Sequence, residues 1–301
     1  MIIIFVISII TTLTFLLTSI TDDIYIFQSY VNDYKNKEQL YLISDASLNA
    51  VKDFLLSDSD DIDTLQDKWA TEMPLVIDNI KLKINIIDQE RFLNPNILLN
   101  NDGKNINQRV FPVFERLFEN IGYNKSLLFN IIDWIDKDSI SQGGKENYTE
   151  YPAKNGFIDS LEEMKLIDGV TKEIYNGYII SGKFIPGFRT LFSPYSNGKI
   201  NINTASKWIL QSLDPSLTEQ IVANIISYRE KKPFKNINDL SLVDGVNSDI
   251  IYRLKQLDIV DVKSENFLVD IEINLNDNIY HLTALLERKN KDINIIWRKI
   301  Y

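Results

Sequence analysis

At 301 residues the chain is long enough for two or three modest domains. Hydrophobic content of 45% and aromatic content of 11% exclude general disorder, and a formal net charge of −10 argues against a protein that displaces counterions from nucleic acid. There is no cysteine and one histidine, His281, which excludes disulfides and thiolate sites and leaves little material for histidine-rich zinc sites or Ser-His-Asp hydrolysis.

Residues Met1 to Thr21 carry no charged side chain, no proline and no glycine. About 20 apolar residues span a bilayer core as a helix, so a membrane segment is expected over 1–21. A cleaved signal peptide would need a basic n-region and a small-residue cleavage site, and neither is visible. An apolar seam continues through Phe27, Val31, Tyr34, Tyr41, Leu48 and Leu55, at helical spacing. Pro74 is the first proline or glycine, so one helix is expected to reach about Leu56, roughly 80 Å at 1.5 Å per residue. The acidic stretch from Leu56 to Thr64 is read as its polar exit.

The segment from Lys81 to Asn96 opens with strand alternation, Leu82, Ile84 and Ile86 against Lys83 and Asn85, and Asn94-Pro95-Asn96 ends it. Two helical tracts follow, Val110 to Tyr123 and Ser126 to Asp138. Leu161 to Tyr178 then aligns with Ile237 to Leu254, sharing Leu and Asp-Gly-Val. Each copy reads as a helix, a tight hairpin at the glycine and a second helix, a helix-hairpin-helix pattern. DNA-binding versions contact phosphate through the hairpin, but Asp168 and Asp244 would repel it there, so a packing role is expected. In the stretch from Gly198 to Leu213, Asn203 or Thr204 is placed to cap a helix bearing Ala205, Ile209, Leu210 and Leu213. The C-terminal region alternates as three strands. Phe267, Val269, Ile271, Ile273 and Leu275 share one face. Tyr280, Leu282 and Ala284 form a second set, and Ile293, Ile295 and Trp297 a third. Asn276-Asp277-Asn278 and the stretch from Arg288 to Asp292 supply the turns.

The acidic run from Asn130 to Tyr151 is the richest in chemistry. Asp133 and Asp136 are three apart and share a helix face, Asp138 follows at the helix exit, and Gly143-Gly144 lets the chain return Glu146 to the same region. Crowded carboxylates without a cation are unfavourable, and several oxygens on a flexible loop suit calcium. A carboxylate-pair hydrolase and a solvated acidic helix end are the other readings of the spacing.

Five stretches in order, IIDQERFLNPN, NIIDWIDKDS, GGKENYTEY, PAKNGFIDSLEEM and GKININTAS, resemble motifs of the K-type minor pseudopilin of the type II secretion system, the general secretion pathway protein K family. Glu90 stands where that family usually has glycine, Leu93 where it often has asparagine, and Gly144-Lys145-Glu146 in place of Gly-Ala-Glu. No basic leader precedes Met1 here, and if Met1 is the mature start then Phe5 occupies the position where most pseudopilins carry glutamate. The resemblance implies an α+β fold: a long N-terminal membrane helix, a pilin-like antiparallel sheet and a large helical insertion with helix-hairpin-helix-like units. The division expected is 1–21 in the membrane, 22–97 and 259–301 as the pilin-like domain, and 98–258 as the insertion. It further implies a non-enzymatic subunit at the pseudopilus tip. That subunit would initiate or cap assembly with I- and J-type minor pseudopilins and other secretion components. It would be held in the bacterial inner membrane by lipid contact through 1–21, with its body in the periplasm and no nucleic acid bound. One or two calcium ions would be held by Asp133, Asp136, Asp138 and Glu146, with Asn155 and the carbonyl of Tyr148 as further ligands. The alternative is a membrane-tethered helix-hairpin-helix protein that binds DNA.

Overall fold

The computed structural model describes residues 1–58, 61–77, 80–276, 278–290 and 292–301. Ser59 and Asp60 of the acidic exit, and Asp277 and Lys291 of the two expected turns, lie outside the described residues. Helix α1 (Ile2–Ser57) runs unbroken. Its threonine hydroxyls do not interrupt it, because Thr11, Thr12, Thr14, Thr18 and Thr21 donate back to carbonyls one turn earlier. The apolar seam divides in two. Leu40, Leu48, Val51 and Leu55 are buried against the sheet, whereas Phe27, Val31, Tyr34 and Tyr41 are exposed.

After α1 the chain forms β1 (Met73–Ile77) and β2 (Ile80–Asp88). An excursion then runs through α2 (Phe111–Ile121), α3 (Lys125–Ile135), α4 (Lys172–Asn176), β3 (Gly177–Ile180), β4 (Lys183–Pro186), α5 (Phe188–Leu191), β5 (Ile200–Asn201), α6 (Lys207–Leu213), α7 (Glu219–Arg229), α8 (Ser248–Leu257) and β6 (Val260–Asp261). It returns to β7 (Asn266–Leu275), β8 (Asn278–Lys289) and β9 (Asp292–Ile300). The main sheet is antiparallel in the order β1-β2-β7-β8-β9. The edge strand β1 adds to the four expected strands; its residues, Met-Pro-Leu-Val-Ile, are apolar throughout and so show no alternation.

Leu82, Ile84 and Ile86, the alternate residues of β7 from Phe267 to Leu275, and Leu282, Ala284 and Leu286 form one core under α1. The strict period of two puts every one of them on one face. The last strand departs from the expected pattern. The register shifts between Leu285 and Leu286, which face Trp297 and Ile295, leaving Ile296 as a bulged residue. A bulge reverses the alternation beyond it. Ile293 and Ile295 keep to the core side, but Trp297 turns to the opposite face and packs against Tyr195, ring centroids 5.6 Å apart.

The excursion has its own core, drawing on residues from Leu93 to Val262 around the expected 98–258. It contains a duplicated unit whose helices α2 and α6 pack on each other. In the first unit, α3 presents Asn130 Nδ2 to the Asp168 carbonyl at 2.9 Å; in the second, α7 presents Asn224 Nδ2 to the Asp244 carbonyl at 3.1 Å. Gly169 and Gly245 sit in these hairpins at φ of +84° and +88°, a conformation that only glycine adopts without strain. The element before each hairpin is a 3₁₀ turn, Leu161–Leu166 and Ile237–Leu242, rather than the expected α-helix. Each is held by bonds three residues apart, such as Glu163 N to the Ser160 carbonyl and Asp239 N to the Asn236 carbonyl. In the first unit α4 ends after five residues because the chain turns at Gly177 into the β3–β4 hairpin.

A buried polar junction fastens the insertion to the sheet. The chain leaves β2 and re-enters β7 side by side, Asp88 opposite Phe267, with Gln89 N donating to the Asn266 carbonyl at 2.9 Å. Asn203 and Thr204 do not cap α6, whose N-cap is Ser206 without a side-chain bond. Thr204 instead donates its hydroxyl to the Asp88 carboxylate, and Asn203 Nδ2 donates to the Phe234 carbonyl at 2.9 Å. Asn201 Nδ2 donates to the Asp63 carbonyl at 3.0 Å and to Ser264 Oγ at 2.9 Å. Glu90 accepts from the backbone N–H of Asn197, Glu265 and Asn266 and from Asn266 Nδ2, at 2.8–3.2 Å. Burial, reinforced by Asp88, pushes its carboxyl up to about 8, against the pull of those donors. Arg288 Nη2 lies 2.6 Å from both carboxylate oxygens of Asp63, and its guanidinium also covers the Phe267 ring. Removing one member of a buried pair strands the other, so Arg288→Met should cost about 3–5 kcal/mol in chemical denaturation of the detergent-solubilised chain. Adding Asp63→Leu should recover part of that loss, because the stranded charge is gone.

Candidate metal centre

The site lies where α3 ends. Asn124 caps the helix by accepting from Ser126 N at 2.9 Å, and the apolar face of α3, from Leu127 to Ile135, is buried. Asp133 is in its last turn and Asp136 is its C-cap, already extended at ψ 158°. The loop that follows is an addition to the duplicated unit. Asn130 and Asn224 are 94 residues apart, but Gly169 and Gly245 only 76, so the first unit carries 18 residues more between helix and hairpin.

That loop folds back on Asp133. Gln142 N donates to Asp133 Oδ1 at 2.9 Å, while Ser141 Oγ and Gly144 N donate to Oδ2 at 2.7 and 2.9 Å. Gly144 passes so close to α3 that an added Cβ would lie 2.4 Å from the carbonyl carbon and oxygen of Phe129. The turn delivers Glu146 to the aspartates, and carboxylate oxygens of Asp133, Asp136 and Glu146 lie within 4.8 Å of one another. Asp133 and Asp136 are wholly buried and Glu146 is 9% exposed.

The expected residues take different parts. Asp133 spends its oxygens on the loop and is its organiser. Asp136 Oδ1, both oxygens of Glu146 and Asn155 Oδ1 are buried without a hydrogen-bond partner. Asn155 is held in place by its N–H to the Trp134 carbonyl at 3.1 Å and by Nδ2 to Ser139 Oγ at 3.2 Å, at a φ of +51°. Asp138 stands outside the trio, its Oδ1 accepting from Ile140 N at 3.0 Å. The Tyr148 ring packs edge-on against Trp134 and stacks on Tyr151, and its hydroxyl accepts from Asp168 N at 3.3 Å, so its side chain serves packing. Ser141 and Gln142, absent from the sequence reading, complete the cradle; Gln142 Nε2 reaches Asp136 Oδ2 at 3.2 Å. Their role has no sequence signal, because a serine and a glutamine in a loop are ordinary solvated residues until the loop closes.

Burial pushes the Asp136 carboxyl up to about 6 despite the Gln142 bond, with Asp138 and Asp133 adding to the rise. Burial and the three aspartates push Glu146 up to about 7. Asp136 and Glu146 therefore resist ionisation unless positive charge enters, which is the electrostatic character of a cation site. Four orphaned oxygens of carboxylate and amide type suit a hard cation. Asp133, Asp136 and Glu146 make up one of two such acidic groups among the described residues. The other, Asp58, Asp63 and Asp67, is engaged: Asp63 with Arg288, and Asp67 with Thr64 and Trp69.

The signs fix a pH dependence. Both folded-state values exceed those of the unfolded chain, so this contribution to stability is full below about pH 4 and is lost as pH rises through about 6 to 7. In chelator, the melting temperature of the wild type should fall more steeply over that range than that of Glu146→Gln. Equal slopes would show that Glu146 does not ionise against the aspartates.

Residues 91–179 match the family model of type II secretion system protein K, and residues 196–257 match that of the helix-hairpin-helix motif. Endonuclease/exonuclease/phosphatase family domain-containing protein 1 of Danio rerio is 30% identical over 130 residues, 38% of this chain and 23% of that protein. The protein of the same name from Xenopus laevis is 41% identical over 61 residues, 20% of this chain and 11% of that protein. The chain thus spans less than a quarter of the length of these curated relatives. A chain from the crystal structure of the GspK-GspI-GspJ complex of the enterotoxigenic Escherichia coli type 2 secretion system superposes with a TM-score of 0.68 at 15% identity, over 90% of this chain and 99% of that one. The duplicated insertion thus matches secretion protein K over its first unit, the fold is shared almost from end to end, and the K-type minor pseudopilin resemblance carried by the five motifs is borne out.

Proposed function

We propose that this chain is a non-catalytic minor pseudopilin of a type II secretion system that joins I- and J-type subunits at the pseudopilus tip, where it initiates or caps assembly for protein export. The observation that carries this reading is the division of α1. One part of its seam is buried in the chain's own sheet, while Phe27, Val31, Tyr34 and Tyr41 are exposed just beyond an apolar segment long enough to cross a membrane. Exposed aromatic side chains in a row on a helix are what a neighbouring helix buries. In this reading 1–21 lies in the inner membrane, the body stands in the periplasm, and the insertion obstructs a further subunit. Val31→Asp or Tyr34→Asp should abolish co-purification with the I- and J-type partners without changing the melting temperature, since both positions lie outside the folded core. Normal complexes from both variants would refute the seam's role.

In the same reading the acidic loop holds calcium, with Asp136, Glu146 and Asn155 supplying oxygens to a cation that takes six to eight, and Asp133 holding the loop around it. Calcium at a hundredfold excess over its Kd should stabilise the chain by about 2.7 kcal/mol, read as a rise in melting temperature that a chelator reverses. Gly144→Ala should abolish that rise, because the loop can no longer approach Phe129. The helix-hairpin-helix match over 196–257 favours a second reading, duplex DNA binding. Against it stand Asp244 in the matched hairpin and Asp168 in the other, the latter already paired with Lys145. Salt-dependent retention of duplex DNA would favour that second reading.

A further inference from the structure

The exposed part of the α1 seam contains one residue that is not apolar. Phe27, Val31, Tyr34 and Tyr41 leave a gap of seven at their end, and Glu38 fills it, so that 27, 31, 34, 38 and 41 follow in steps of 4, 3, 4 and 3. That is the repeat by which two helices meet along one line, each seam side chain entering a hole between side chains of the neighbour. Glu38 is exposed, and so are the apolar residues around it on the same face, Val31, Tyr34, Tyr41 and Leu42.

The chain supplies a cation to the next carboxylate of the seam but not to this one. The same steps lead from Tyr41 to Asp45 and Leu48. An α-helix drifts about 20° per heptad against such a repeat, so the line turns gradually and Leu48 and Leu55 come to face the sheet. Asp45, where β9 stands beside the seam, pairs with Arg298 of that strand. Glu38 lies seven residues earlier on the line, about 10 Å along the helix, and no ion pair or hydrogen bond engages its carboxylate among the described residues. Lys35, three residues before it, stands about 60° round the helix and does not pair with it. A helix laid on the seam would take Glu38 out of water, and a buried carboxylate without a cation is costly.

We infer that Glu38 fixes the partner and the register on this face: a neighbouring subunit's helix lies along Phe27, Val31, Tyr34 and Tyr41 and brings a lysine or arginine to Glu38, as β9 brings Arg298 to Asp45. This rests on the reading of the seam as the docking face for I- and J-type subunits. The occupant is an amphipathic helix with one cation in its apolar seam. A helix with a carboxylate at that level is rejected by like charge.

The test is co-purification of the full chain in detergent with the I- and J-type subunits. Glu38→Lys should abolish recovery of the subunit that carries the cation. Glu38→Gln should raise the concentration needed for half-maximal recovery about tenfold, one charge-assisted pair being lost. Both variants should melt like the wild type, because Glu38 is exposed in the isolated chain. Changing the lysines and arginines of the lost subunit's helix to glutamate, one at a time, should restore the complex with Glu38→Lys at a single position. Undiminished recovery of either variant, or failure of every reversal to restore the complex, would overturn the inference. Val31→Asp separates this result from the seam's own role: if it abolishes the complex while Glu38→Lys does not, the seam stands and the part given to Glu38 falls.

Discussion

The architecture depends on a buried polar junction where the insertion leaves and rejoins the sheet. Asp63, Asp88 and Glu90 are all buried, and each is satisfied by donors from a different stretch of chain: Arg288 and Ser264, Thr204, and the 197 and 265–266 backbone. A buried carboxylate without donors is costly, so these acids have a single low-energy arrangement, in which both hydrophobic cores are docked. The asparagines of the GKININTAS stretch supply much of the wiring. Glu90, where the resembling family usually has glycine, accepts from Asn197 in the loop before β5 and from Glu265 and Asn266 at the start of β7. The junction therefore specifies how two cores, each able to bury its own apolar face, sit against each other.

The same insertion shows how an acidic loop is fitted to a repeated scaffold. Both units keep the asparagine-to-hairpin bond and the glycine turn, which settle the packing. The extra residues of the first unit form no helix or strand, only a single antiparallel bridge between Asn147 and Pro152. They are shaped by Asp133 accepting three bonds and by the contact of Gly144 with α3. Hydrogen bonds saturate the carboxylate that organises the loop and leave orphaned oxygens on its neighbours. That separation of roles, one acid for shape and others for charge, makes the electrostatic stress local.

The two faces of the sheet are assigned to different tasks by one bulge. On the inner face an uninterrupted alternation packs against the lower half of α1. On the outer face, Trp297 and Lys299 are exposed to the insertion only because Ile296 occupies an extra place in β9. Bulges at sheet edges, where β9 lies, commonly re-aim side chains in this way. Among the described residues no other element covers the upper half of α1, and exposed apolar side chains recur along it from Ile2 to Tyr34.

The sequence by itself determined the elements whose physics is local. The unbroken apolar helix, the alternating strands of the inner sheet face and the amphipathic helices of the insertion follow from periodicity and from the absence of breakers. The acidic site was legible in part: Asp133, Asp136 and Glu146 converge because a helix end and a diglycine turn are both visible in the chain. Other features were decided only by tertiary structure. Asn203 and Thr204 look like caps, yet they serve the junction, because their partners Phe234 and Asp88 lie 31 and 116 residues away. Trp297 reads as a core residue until a register shift with β8 turns it over. Which acid organises the site and which is left with free oxygens depends on where Ser141, Gln142 and Gly144 come to rest. Periodicity reports which side of an element is apolar; hydrogen-bond pairing between distant segments, register and close backbone approach are properties of the folded chain alone.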